Sequence, residues 1–124
     1  MLDLHIKDDY IKTRKSINYF KEASIEQKNR IIKNNKDFGE IICRCEEVTK
    51  GEILEALRTN PKATDLDGVK RRTRAQLGRC QGGFCMPYIT EIIANELKIN
   101  IEDVTKNGLG SNLITSKTKE GYHD

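Results

Sequence analysis

The chain has 124 residues, enough for one domain; split in two, neither half would bury a good core unaided. It is 33% charged, 36% hydrophobic and 6% aromatic with no Trp, so a metal or a partner surface is expected to supplement a thin core. A formal charge of +3 excludes a strongly basic nucleic-acid tail, and no apolar run approaches the ~20 residues that span a bilayer.

Met1 to Tyr10 carries no apolar stretch of the secretory type, so a cytoplasmic protein, or a piece of one, is expected. Residues 1–38 are rich in Lys, Asn and Asp and read as a helical N-terminal linker or extension. Within them Tyr10, Ile11, Ile17, Tyr19 and Phe20 are expected to pack on the core or on a partner domain. Ser24-Ile25-Glu26-Gln27 is a capping box that starts a short helix through Ile31 and Ile32, ending at Asn34-Asn35. Ile41 and Ile42 predict a short, buried, extended entry to the first cysteines. Thr49-Lys50-Gly51-Glu52 is a second capping box, opening a helix with Ile53, Leu54, Ala56 and Leu57 on one face; Asn60-Pro61 ends it.

A further helix is expected from about Asp67 through Arg74, fading at Gly78. The segment Gly78-Arg79-Cys80-Gln81-Gly82-Gly83-Phe84-Cys85 is glycine-rich, which lets a backbone approach closely with its N–H groups turned inward. Pro87 suits the first turn of a helix carrying Ile89, Ile92, Ile93 and Leu97, so Cys85 precedes a helix N-terminus. That position favours negative charge on sulfur. Asn100 caps a last short helix, with Asp103 at its third position, and beyond Gly110 a Ser/Lys/Thr-rich tail is expected to be mobile unless docked.

The four cysteines form two tight pairs, Cys43/Cys45 and Cys80/Cys85, in the pattern C-x-C, 34 residues, C-x4-C. Scattered buried thiols would not pair twice, and a cytosolic chain does not favour disulfides. A four-thiolate metal site remains, either structural zinc or a [2Fe–2S] cluster. Zinc pairs are usually C-x2–4-C, and a C-x-C pair is tighter than that. A two-iron cluster offers two metal centres, so the spacing leans towards it. His5 and His123 lie at the chain ends, which disfavours a mixed Cys/His site.

Five basic residues stand between Lys70 and Arg79, namely Lys70, Arg71, Arg72, Arg74 and Arg79, and Arg44 lies inside the first cysteine pair. They could be a solvated face, offset cluster charge, or receive a phosphate or flavin of a partner. RNA is disfavoured, because aromatic residues are not interleaved. The expected division is that Arg44 and Arg79 attend the cofactor, while Lys70, Arg71, Arg72 and Arg74 mostly face a partner or solvent.

The strings CRCE (43–46), DGVKRRTRA (67–75) and GRCQGGFC (78–85) closely resemble a known module. It is the bacterioferritin-associated-ferredoxin-like (BFD-like) [2Fe–2S]-binding domain, in the form found at the C-terminus of FAD-dependent, anaerobic-type glycerol-3-phosphate dehydrogenases. The resemblance covers about Gly39 to Leu97. It extends more loosely to Ser24–Gly39, like the segment leading from the flavin domain, and to Asn107–Lys119, like that family's tail. It implies a mainly α, compact helix-turn-helix domain with a helical N-terminal extension, divided as 1–38, 39–98 and 99–124. It implies Cys43, Cys45, Cys80 and Cys85 as ligands and one-electron transfer from a reduced flavin to an acceptor. FAD would belong to a partner domain or subunit, because the chain has no G-x-G-x-x-G following a strand. In the bacterioferritin-associated ferredoxin itself the second pair is C-x2-C, so iron release from ferritin transfers poorly. With no catalytic constellation in view, the chain alone is not expected to oxidise a substrate.

Overall fold

The computed structural model describes residues 5, 7–10, 12, 13 and 20–117. Ile11, Ile17, Tyr19 and His123 lie outside the described residues. Of the other N-terminal aromatics, Tyr10 is half exposed, whereas Phe20 is buried.

Helix α1 (Ile25–Asn34) begins at Ser24. The Ser24 hydroxyl accepts the Gln27 N–H at 3.3 Å, and the Gln27 side chain accepts the Ser24 N–H at 2.9 Å. These two bonds satisfy donors that every helix start leaves open. Asn35 ends α1 and starts a 3-10 turn, Lys36–Gly39, by accepting the Asp37 N–H. The turn buries Phe38, whose ring lies where a Cβ on Gly51 would stand. Only glycine therefore lets the extension pack this closely on the next helix.

Strand β1 (Ile41–Cys43) runs antiparallel to β2 (Val48–Thr49), with Cys43 opposite Val48 and an irregularity in the register. Ile41 is 49% exposed and Ile42 only partly buried against the core, so the expected buried entry is extended but becomes fully buried only at Cys43, past the irregularity in the register. Residues 44–47 turn between the strands, and Glu47 adopts a left-handed φ of 54°.

Helix α2 (Lys50–Arg58) starts at the expected Thr49 capping box. Its Glu52 is buried, 2% exposed, and accepts from the Thr49 N–H at 2.7 Å, the Thr49 hydroxyl at 2.8 Å and the Phe20 N–H at 3.0 Å. One carboxylate thus both caps α2 and ties down the extension. Helix α3 (Leu66–Thr73) is capped by Asp65, which accepts the Gly68 N–H at 2.6 Å. It stops earlier than expected, because Arg74 turns left-handed (φ 66°). Helix α4 (Met86–Leu97) has Pro87 in its first turn and Cys85 at its N-cap.

Ile53 and Leu57 of α2, Leu66 and Val69 of α3, and Ile89 and Ile93 of α4 form the centre of the core, all fully buried. Each such side chain contributes ~1.5–3 kcal/mol of burial. Cys43 and Cys85 sit in the same cluster. The last turn, Ile101–Asp103, follows Asn100, whose side chain makes no capping bond, contrary to expectation. Val104 is buried, and the next residues dock on the start of α3: the Leu66 N–H donates to the Thr105 carbonyl and the Asp67 N–H to that of Lys106. Asn112 pairs back with Thr105, so the segment just past Gly110 is docked. The chain is mainly helical, and among the described residues no helix is long and apolar enough to cross a membrane.

Candidate metal centre

The two cysteine pairs, 34 residues apart in sequence, meet beside the N-terminus of α4. The pairing crosses the motifs. Cys45 Sγ lies 3.5 Å from Cys80 Sγ, and the Cys43 and Cys85 side chains interact with each other. Two thiolates at ~2.3 Å from one tetrahedral ion lie about 3.8 Å apart, so the Cys45–Cys80 separation is close to that of two ligands on one metal. Among the described residues, no three His, Cys, Asp or Glu side chains converge as donors for a single ion. The thiols stand as two pairs, Cys45 with Cys80 and Cys43 with Cys85.

The loop from Arg74 to Cys85 makes this possible. Arg74, Gln76, Gln81 and Gly82 all adopt left-handed φ values, which wind the chain tightly. Non-glycine residues are costly in that region and collect at ligand clamps. The winding turns the N–H groups of Phe84, Gly82 and Gly83 on Cys80, as the glycine pattern led us to expect. The Phe84 N–H first, then the Cys45 side chain and the other two amides, hold the Cys80 thiol below its usual range. Cys85 goes the other way. Burial, followed by the neighbouring Cys43, pushes its thiol up to about 11, against a lowering bond from the Gln76 N–H. The loop amides at Cys80 favour the thiolate that a metal binds, whereas burial at Cys85 opposes it, and only the Gln76 N–H there favours the charge.

Gln76 escaped the sequence reading. It is 6% exposed, its backbone N–H points at Cys85, and its side chain donates to the Leu66 carbonyl at 3.2 Å, fixing the loop to α3. A polar residue between Ala75 and Leu77 carries no sequence signal of such a role.

The helix-borne part of the basic cluster also makes contacts within the chain. Lys70 pairs with Asp67 at 2.9 Å, Arg74 with Glu46 at 3.1 Å and Arg71 with Asp65 at 4.0 Å. Arg72 donates to the carbonyls of Gly68 and Pro61. Arg71 and Arg74 keep side chains 60% and 64% exposed while making these pairs, so both still face solvent. Arg44 and Arg79, beside the ligand candidates, are exposed and have no carboxylate at ion-pair distance among the described residues.

Glycerol 3-phosphate dehydrogenase of Caloramator mitchellensis is 46% identical over 113 residues, 91% of this chain and 24% of that protein. The A1 subunit of the anaerobic glycerol-3-phosphate dehydrogenase of Haloferax volcanii is 35% identical over 92 residues, 74% of this chain and 15% of that protein. The opine oxidase A subunit of Rhizobium meliloti is 39% identical over 64 residues, 52% of this chain and 12% of that protein. The chain spans less than a quarter of the length of these relatives. No solved structure gives a significant match. Residues 41–95 match the family model of the BFD-like [2Fe-2S] binding domain, and this segment, with both cysteine pairs and the wound loop between α3 and α4, belongs to that family.

Proposed function

We propose that the chain is the iron–sulfur electron-transfer module of an FAD-dependent oxidoreductase of the glycerol-3-phosphate dehydrogenase kind. Cys43, Cys45, Cys80 and Cys85 are its cluster ligands. The observation that carries this reading is the meeting of both cysteine pairs at one wound loop, inside the segment that matches the family. The names of the relatives support the dehydrogenase setting.

When bound, a [2Fe–2S] cluster supplies a one-electron redox centre. The chain's own residues do the rest. The amides of Gly82, Gly83 and Phe84 hold charge on the Cys80 sulfur, and the Gln76 N–H does so at Cys85. Burial of Cys43 and Cys85, 1% and 2% exposed, keeps water from that side. Arg44 and Arg79 offset negative charge next to the ligands. Electrons come from a reduced flavin held by another domain or subunit of a cytoplasmic assembly and pass on to an acceptor; this chain does not itself oxidise the substrate.

The test is anaerobic purification followed by iron, zinc and acid-labile sulfide analysis and electron paramagnetic resonance. Equimolar iron and sulfide, a red-brown colour and a signal that appears on reduction are expected. A colourless protein with stoichiometric zinc and no sulfide would replace this reading with a structural zinc domain for protein contact.

A further inference from the structure

The four sulfurs differ in access. Cys43 and Cys85 are sealed in the core, whereas Cys45 is exposed and Cys80 partly so. A group bound between them has one buried edge and one open edge. Electron exchange falls steeply with distance, so the open edge is where a redox partner comes closest.

The charge around that edge is uneven. Arg44 adjoins Cys45, and Arg79 adjoins Cys80. The Gly78 backbone packs against Cys45, which brings the two arginine-bearing segments together. Glu46 is taken up by Arg74. Glu47 is the one nearby carboxylate without an ion partner among the described residues. The balance of unpaired charge is therefore positive. Phe84, 80% exposed, and Leu77, 41% exposed, add apolar contact surface beside it.

We propose that electrons enter and leave through the Cys45–Cys80 edge, and that Arg44 and Arg79 select redox partners that present anionic groups there, in the natural assembly an acidic protein surface. This rests on the cluster reading above and goes beyond it by naming the edge and the charge of what docks on it. The elementary step is the transfer of one electron, with no bond or proton moved.

Two small oxidants of opposite charge test the idea on the cluster-loaded chain. Ferricyanide is a trianion, and tris(phenanthroline)cobalt(III) is a trication. Each takes one electron from the reduced cluster, giving ferrocyanide or the cobalt(II) complex. The ratio of their rates removes the effect of driving force, which any arginine substitution also changes. For the native protein the ferricyanide rate should fall with added salt and the cobalt rate should rise. Arg44→Gln and Arg79→Gln should each lower the anion-to-cation ratio by about fivefold at low salt. Glu47→Gln should raise it. Lys62→Gln, an exposed cation past the far end of α2, should leave it unchanged. An independent readout is relaxation of the reduced cluster's paramagnetic signal by the chromium(III) oxalate trianion, which should be strong in native protein and weaker in both arginine variants.

Equal ratios in native, Arg44→Gln and Arg79→Gln proteins would overturn the proposal. So would a shift in Lys62→Gln as large as that in Arg79→Gln, because net charge alone would then suffice. If an arginine variant fails to load, the native salt dependences and Glu47→Gln still decide it. Native protein that holds no iron and sulfide would instead defeat the functional reading; iron and sulfide content are therefore measured first.

Discussion

Gly78 backs directly onto Cys45: a Cβ at position 78 would overlap the Cβ of Cys45. The absence of a side chain at Gly78 is what lets the loop bring Cys80 to 3.5 Å from Cys45. Gly78→Ala is expected to part the two sulfurs or strain the turn at 44–47, at a cost of about 1–3 kcal/mol. Iron and sulfide per chain should drop, and the melting temperature of the loaded protein should fall. Native loading and melting would show that the contact yields freely.

Cys80→Ser should bleach the visible absorption and lower the melting temperature. Metal binding free energy is folding free energy in small metallo-domains, and this chain has only 6% aromatic residues to compensate. Absorption and thermal melts on the same sample check both effects. A variant that keeps its colour and melting curve would remove Cys80 from the ligand set.

Glu52→Ala should destabilise the chain by about 2–4 kcal/mol in urea denaturation, because it strands the Thr49 and Phe20 N–H groups and removes the side-chain half of the α2 capping box, leaving the Thr49 hydroxyl on the residue-52 N–H. The loss should appear first at the extension. Hydrogen exchange at Phe20 should quicken in Glu52→Ala before the α2–α4 core changes, since this bond joins the two.

The docking of the C-terminal segment should be acid-sensitive. Hydrogen bonds from Lys70, and then from Lys106, hold the Asp67 carboxyl below its usual range. An acid whose folded pKa is depressed adds stability above its unfolded value, about 3.9, and loses it as pH falls through the lower folded value. Exchange protection at the Asp67 amide, bonded to the Lys106 carbonyl, should therefore weaken below about pH 4. High salt should shrink the effect, because both lysines are partly exposed. Asp67→Asn should remove this component of the acid sensitivity while leaving the backbone bond in place.

Local chemistry was legible in the sequence. Ser24 with Gln27 and Thr49 with Glu52 announce the starts of α1 and α2, because a capping box is satisfied within four residues. Pro87 behind Cys85 announces α4 in the same way. The two cysteine pairs and their glycines marked a candidate metal site, since ligand spacing and backbone freedom are properties of short segments. The exposure of Ile41, the early stop of α3 at Arg74 and the silent side chain of Asn100 were not legible. Each depends on what lies opposite in space.

The same limit governs the site. The sequence identified four thiols but not their cross-pairing, Cys45 with Cys80 and Cys43 with Cys85. That pairing is set by the antiparallel turn of β1 and β2 meeting the left-handed loop before α4, two segments brought together only by the packing of α2, α3 and α4. Nor could a run of basic residues reveal which charges are already spent. Asp65, Asp67 and Glu46 claim Arg71, Lys70 and Arg74, and leave Arg44 and Arg79 without ion partners among the described residues beside the open edge. Residue type and short spacing fix which chemistry is present; burial and charge pairing are long-range quantities, and only the folded chain decides them.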